Sequence, residues 1–187
     1  MNLKHNYFIL LIFLFLIPNA EGAETIFLYK GNFSRTISIE ELNNFEKTKL
    51  PSPKLKNLIK ITNQKEEEIH KVLTYEIEVP LGTSSKLMNS KIGEVFLSRL
   101  SKIIHPNKIS NKNIGKRAIR SGIILGSYNN NEKINLIDFF RAYPNKNIAI
   151  DLKALRKALK KAESLKELID FFSNSPFKKL KDGSSST

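Results

Sequence analysis

Hydrophobic positions follow two different periods along this chain, and one apolar block stands apart from both. Tyr7 to Ile17 is unbroken apolar sequence, preceded by Lys4 and His5 and followed by Pro18, Asn19 and the small-residue stretch AEGA. Alternation comes next. TIFLYK and FSRTISI are β-rich runs separated only by Gly31 and Asn32, which predicts a hairpin. From Ser38 the period becomes helical. Ser38 followed by Glu41 is a capping box for a helix over Ile39 to about Lys47. Ser52 and Pro53 suit the start of a second helix, with Leu55, Leu58, Ile59 and Thr62 on one face. Asn63 is placed to cap a third, through EEEIHKVL.

Pro80 and Gly82 then break the pattern. SKLMNS and IGEVFLSRLSKII read as continuing helix, with Ile92, Val95, Phe96, Leu100, Ile103 and Ile104 at helical spacing until His105-Pro106-Asn107 ends it. Further helices are predicted over Lys112 to about Leu125 and Leu136 to Tyr143. NIAID is expected to return to the hairpin as an edge strand. The last helix, Leu152 to Phe172, aligns Leu152, Leu155, Leu159, Ala162, Leu165, Ile169 and Phe172 along one face, and a polar tail follows from Asn174 to Thr187. The predicted class is mostly α within α+β: a helical domain with a short N-terminal β-hairpin and one returning strand, not alternating strand and helix.

The first apolar block has the order of a secretory signal: charge, hydrophobic run, small-residue cleavage region. It is about half of the ~20 residues a membrane-spanning helix needs. Small side chains at Ala20 and Gly22 place cleavage between Gly22 and Ala23, so residues 1–22 are the expected signal and 23–173 the domain. The expected location is an exported one: periplasm, thylakoid lumen or exterior. No cysteine is present, which excludes disulfides and lipid attachment to cysteine.

The formal charge of +13 favours anionic partners. Lysines outnumber arginines by roughly four to one, whereas bidentate phosphate reading favours arginine. A general bias toward Lys, Asn and Ile is the plainer source of the charge. Export, and the lack of aromatics interleaved with basic residues, argue against nucleic acid as a partner.

GNFSRTISIEELNNFEKT, LTYEIEVP, LMNSKIGEVFLSRLSKII and INLIDFFRAYPN followed by IAID together resemble the cyanobacterial domain of unknown function 1400, over about Glu24 to Leu155. In longer members that domain precedes an α/β-hydrolase domain, and the family is labelled as hydrolases. The resemblance implies a helical lead-in domain, here without its hydrolase portion, and no cofactor.

Candidate chemistry is thin. A hydrolase elbow needs Gly-x-Ser-x-Gly, but the nearest string, Gly122-Ile-Ile-Leu-Gly126, has isoleucine where serine belongs. Only His70 and His105 follow the expected signal, and Asp138, Asp151, Asp170 and Asp182 all come after both, so the order Ser, Asp, His of that fold is not met. Glu66 and His70 lie four apart, too few ligands for a metal site and consistent with a solvated helix face. SYNNNEKINLID, Ser127 to Asp138, echoes a calcium loop, but Glu132 stands where glycine is wanted and an Asn-rich turn fits it better. No catalytic, cofactor or metal residue is assigned. The candidate binding surface is on the last helix: Lys153, Arg156, Lys157, Lys160 and Lys161 opposite the apolar stripe, with Ile169 and Phe172 at its far end. The expected function is non-catalytic contact with an envelope protein, an anionic membrane surface or an apolar ligand. The alternative is ester or lipid hydrolysis.

Overall fold

A computed structural model of the protein describes residues 22–62, 64–109 and 111–161. The expected signal core, the cap at Asn63, the last helix beyond Lys161 and the polar tail lie outside those residues. Within them the class is α+β with helix predominating, as expected.

The hairpin forms from β1 (Thr25–Lys30) and β2 (Phe33–Ser38), with Lys30 opposite Phe33 and Gly31 at φ +60°, the left-handed first position a two-residue turn requires. Ser38 then caps α1 (Ile39–Thr48): its Oγ accepts from the Glu41 N–H at 3.1 Å, and the Glu41 carboxylate accepts from the Ser38 N–H at 3.0 Å. The same carboxylate accepts from Ser52 Oγ at 2.7 Å. Ser52 Oγ in turn accepts from the Leu55 N–H at 3.1 Å, capping α2 (Pro53–Thr62). One glutamate therefore ties together the starts of two helices.

α3 (Glu66–Thr74) and β3 (Ile77–Glu78) follow. The long helix expected between Pro80 and His105 is two helices and a strand: α4 (Leu81–Met88), α5 (Lys91–Leu100) and β4 (Ile104–Pro106). The break lies at Ser90, whose Oγ caps α5 by accepting from the Gly93 N–H at 3.1 Å. Gly93 also explains why part of the expected apolar face is exposed, although Phe96, Leu100, Ile103 and Ile104 pack on the core as expected. Its bare Cα packs against the Leu87 carbonyl and Met88 backbone at the end of α4, so α5 buries Gly93 and Leu97, while Ile92 and Val95 are 63% and 53% exposed.

α6 (Lys112–Asn129) is capped by Asn111 and runs about one turn past the expected end. β5 (Lys133–Ile134) pairs with β3, and α7 (Leu136–Ala142) carries its own capping box from Asn135 and Asp138. β6 (Asn147–Asp151) leads directly into α8 (Leu152–Lys161).

β6 returns to the hairpin, as an inner strand rather than the expected edge. The strand order is β2-β1-β6-β4, with β6 parallel to β1 and antiparallel to β4. The edge is β4, which contains Pro106; a residue with no N–H to donate belongs on an edge strand. Ile26, Ile148 and Pro106 share one rung of the sheet's inner face, and Leu28, Ile150 and Ile104 the next. That face meets Leu42 and Phe45 of α1, Leu55 and Ile59 of α2, Leu97 of α5, Ile119 of α6 and Ile137 of α7 in one core cluster. Each fully buried large apolar side chain contributes about 1.5–3 kcal/mol by leaving water.

Candidate functional site

α8 starts where Asp151 leaves the sheet. Asp151 Oδ1 accepts from the Lys153 N–H at 2.8 Å and the Ala154 N–H at 3.0 Å, so the residue ending the strand also caps the helix. The helix turns back against β1 and β6, and Leu155 packs on the core cluster. With Leu155 inward, Lys153, Arg156 and Lys157 are left exposed. Lys160 and Lys161 continue the same helix. Ile169 and Phe172 lie outside the described residues.

A second cluster had no signal in the sequence. Tyr29 of β1 and His105 of β4, 76 positions apart, meet with Oη 2.9 Å from Nε2 and their rings edge to face. The other ring nitrogen, Nδ1, lies 3.0 Å from the Pro106 carbonyl oxygen. A carbonyl only accepts, so Nδ1 carries the hydrogen and Nε2 accepts the tyrosine O–H. β6 runs between these two strands, and on this face the residue opposite His105 is Ala149, whose single methyl lets the tyrosine cross over it. Burial, and then the negative charge of Asp151, push the Tyr29 phenol above its ordinary pKa. An imidazole bonded on both nitrogens and a phenol held above its ordinary pKa make a strand-to-strand clamp.

The other sequence-derived candidates fall into structural roles. Gly122 and Gly126 are buried on α6, where a Cβ would meet the Phe139 ring at 2.9 Å and the Ile134 side chain at 2.5 Å. His70 Nε2 donates to the Glu46 carbonyl at 3.0 Å and its ring stands edge-on to Phe45, while Glu66 pairs with Lys56 at 3.6 Å. The pair imagined on one metal is therefore engaged elsewhere. In the calcium-like stretch, Ser127 is buried and its hydroxyl donates to the Val79 carbonyl. Asn131 and Glu132 turn the chain at φ 52° and 64°, and the Glu132 carboxylate accepts from the Leu81 N–H at 2.9 Å, at the start of α4. Among the described residues no three His, Asp, Glu or Cys side chains converge as a metal site would need, and no helix is long and apolar enough to cross a membrane.

Two charge networks join the helices. Arg141 donates to Asp138 Oδ1 at 2.9 Å, to Glu46 Oε2 at 2.7 Å and to Asn43 Oδ1 at 2.9 Å, linking α7 to α1. Glu94 accepts from Lys116 at 2.7 Å and from Arg120, whose guanidinium also donates to the Met88 carbonyl at 3.1 and 3.2 Å. The hydrogen bonds from Lys116 and Arg120 hold the Glu94 carboxyl below its ordinary pKa.

No curated protein and no solved structure matches the chain. Residues 22–151 match a family described as alpha/beta hydrolase of unknown function, DUF1400. That match takes in every strand and every helix but α8 among the described residues, well over half of the sequence, and the chain therefore belongs to the DUF1400 family.

Proposed function

We propose that this protein is an exported, non-catalytic accessory module that works by contact, and that the basic face of α8 is its contact surface toward an anionic membrane or envelope partner. The observation that carries the reading is the division of labour on that helix. Leu155 is held by the domain, so Lys153, Arg156 and Lys157 are presented on a fixed support rather than on a free peptide. A supported row of cations attracts an anionic surface over about a Debye length, and each cation near such a surface contributes on the order of 1 kcal/mol. The leader sequence supports export, and a polar headgroup layer is the anionic surface every exported chain meets.

Co-sedimentation with vesicles tests this. The full chain is expected to bind vesicles containing anionic phosphatidylglycerol and not purely zwitterionic ones, with binding lost as salt rises. Reversing Lys153, Arg156 and Lys157 to glutamate should abolish it and leave the melting temperature unchanged. Binding by the reversed variant equal to that of the parent refutes the surface.

Ester or lipid hydrolysis is the second reading, favoured by the family's description. A histidine is the usual base of such enzymes, and among the described residues His105 is the one whose ring faces a side-chain hydroxyl. Turnover of short-chain esters that disappears in His105→Ala would establish it over the contact reading.

A further inference from the structure

The expected cleavage point, between Gly22 and Ala23, lies inside the folded domain. Gly22 rests on the backbone of Arg141, so closely that a Cβ there would overlap the Arg141 carbonyl oxygen and carbon. Ala23 is buried at the margin of the core. The next two amides, Glu24 and Thr25, both donate to the Lys146 carbonyl, at 2.9 and 3.0 Å. The Glu24 carboxylate meets Lys146 Nζ at 3.1 Å. β1 then pairs with β6, beginning with Thr25 beside Asn147. A protease binds several residues on both sides of its scissile bond in extended form, so cutting here requires Gly22 to Thr25 to leave Arg141 and Lys146.

We propose that the Gly22–Ala23 bond is a processing site open only until β6 arrives, so that export and cleavage must precede domain closure. This rests on the export reading above. The order follows from chain connectivity. Arg141, Lys146 and β6 are all at least about 120 positions downstream of the site, so the site stays open while that part of the chain is still unmade or held unfolded. Once the domain closes, proteolysis is limited to the small population in which β1 has peeled away. A chain that folds before export therefore keeps its leader. Residue 22 is under two demands that glycine meets together: small enough for the protease, and without a Cβ against Arg141 in any chain that stays uncut.

The test uses the full 187-residue chain in detergent micelles with a purified signal peptidase, read by intact mass. The folded chain should be cut slowly. The Ile148→Asp chain, which places a charge in the inner strand and cannot close the sheet, should be cut between Gly22 and Ala23 roughly a hundred-fold faster or more. Equal rates overturn the inference. No cutting of either chain, or cutting at another bond, overturns the export reading and the inference with it. A second arm separates packing from processing. Gly22→Ala should lower the melting temperature of the full chain by about 5 °C. The same substitution in exported protein should change nothing, since residue 22 leaves with the leader. An unshifted full-length Gly22→Ala chain refutes the packing even if processing occurs as expected, and a shifted exported one shows that residue 22 is retained.

Discussion

Lys49 and Tyr143 each break a local rule, and each yields a prediction at the level of one side chain. Lys49 ends α1 at φ 59° and ψ 6°, with its N–H on the Phe45 carbonyl and its side chain in solvent. That is the left-handed position that glycine fills most easily. Lys49→Gly removes a Cβ strain of about 1–2 kcal/mol and adds some disorder to the unfolded chain. The net expectation is a gain of about 0.5–1 kcal/mol in urea denaturation, and any loss refutes it. Tyr143 is wholly buried against Phe139, and its hydroxyl is the one buried side-chain polar atom among the described residues without a hydrogen-bond partner. Tyr143→Phe removes an unsatisfied donor while keeping the ring, so stability should stay level or rise by about 1 kcal/mol. Burial also pushes the Tyr143 phenol far above its ordinary value. A raised acid stabilises the fold below the ordinary tyrosine pKa of about 10, and that contribution is lost as pH rises beyond it, because the unfolded chain ionises first. Denaturation at pH 9 and 11 should therefore show a smaller alkaline loss in Tyr143→Phe than in the parent. Identical losses would mean that the hydroxyl is hydrated.

At the scale of elements, the hub at Glu41 and the glycine contact at Gly93 make opposite points about what a sequence discloses. Burial raises the Glu41 pKa, but the Ser38 N–H, the Ser52 hydroxyl and the Lys54 charge outweigh it and hold the carboxyl below its ordinary value. Its contribution is thus present above the ordinary glutamate range and lost as pH falls through the depressed native value. Ser38→Ala and Ser52→Ala should each cost about 1 kcal/mol. Combined with Glu41→Ala, each should cost less than it does alone, since both serine hydroxyls donate to that carboxylate while accepting the N–H they cap. Fully additive losses would show two independent caps. This arrangement was half legible: a capping box spans four residues and can be read directly, whereas the bond from Ser52 depends on how two helices meet. Gly93 was not legible at all. Periodicity counts side chains, and one of the two residues that α5 buries has none, so the apolar pattern takes in Ile92 and Val95, which face solvent, along with Phe96 and Leu100, which pack on the core. Alanine normally stabilises a helix by about 1 kcal/mol over glycine. Gly82→Ala in α4, where a Cβ meets nothing within 4 Å, should gain about that. Gly93→Ala should instead destabilise, because its Cβ would meet the Leu87 and Met88 backbone. Thermal melts of the pair decide this, and a gain in both would mean that α5 can shift at no cost.

For the whole molecule, the sheet is what the sequence disclosed only in part and what the fold depends on. Two adjacent strands joined by Gly31-Asn32 announce themselves. NIAID also reads as a strand returning to the hairpin, but neither its inner, parallel placement nor the three-residue edge strand containing proline announces itself, because nothing local in IHP or NIAID specifies strand direction or a second neighbour. Yet β6 is hydrogen-bonded on both sides, Ile148 is fully buried, and Tyr29 and His105 close over Ala149 from the flanking strands. Helix α3 is the contrary case. It has no fully buried residue: Ile69 and Leu73 are only partly covered, and His70 ties it to α1 through a single bond to the Glu46 carbonyl. Stability should therefore be distributed in two tiers. Amide hydrogen exchange under native conditions is expected to find Ile148, Ala149 and Ile150 opening only with global unfolding, at the free energy that denaturation gives. The amides of α3 should open locally at markedly lower cost and be insensitive to low denaturant, since little surface is exposed when they do. Weakening the sheet by Ile148→Val should lower protection in β6 by about 1 kcal/mol while leaving that of α3 unchanged. If α3 and β6 exchange at the same free energy and fall together in Ile148→Val, the domain is a single cooperative unit and the sheet holds no privileged place in it.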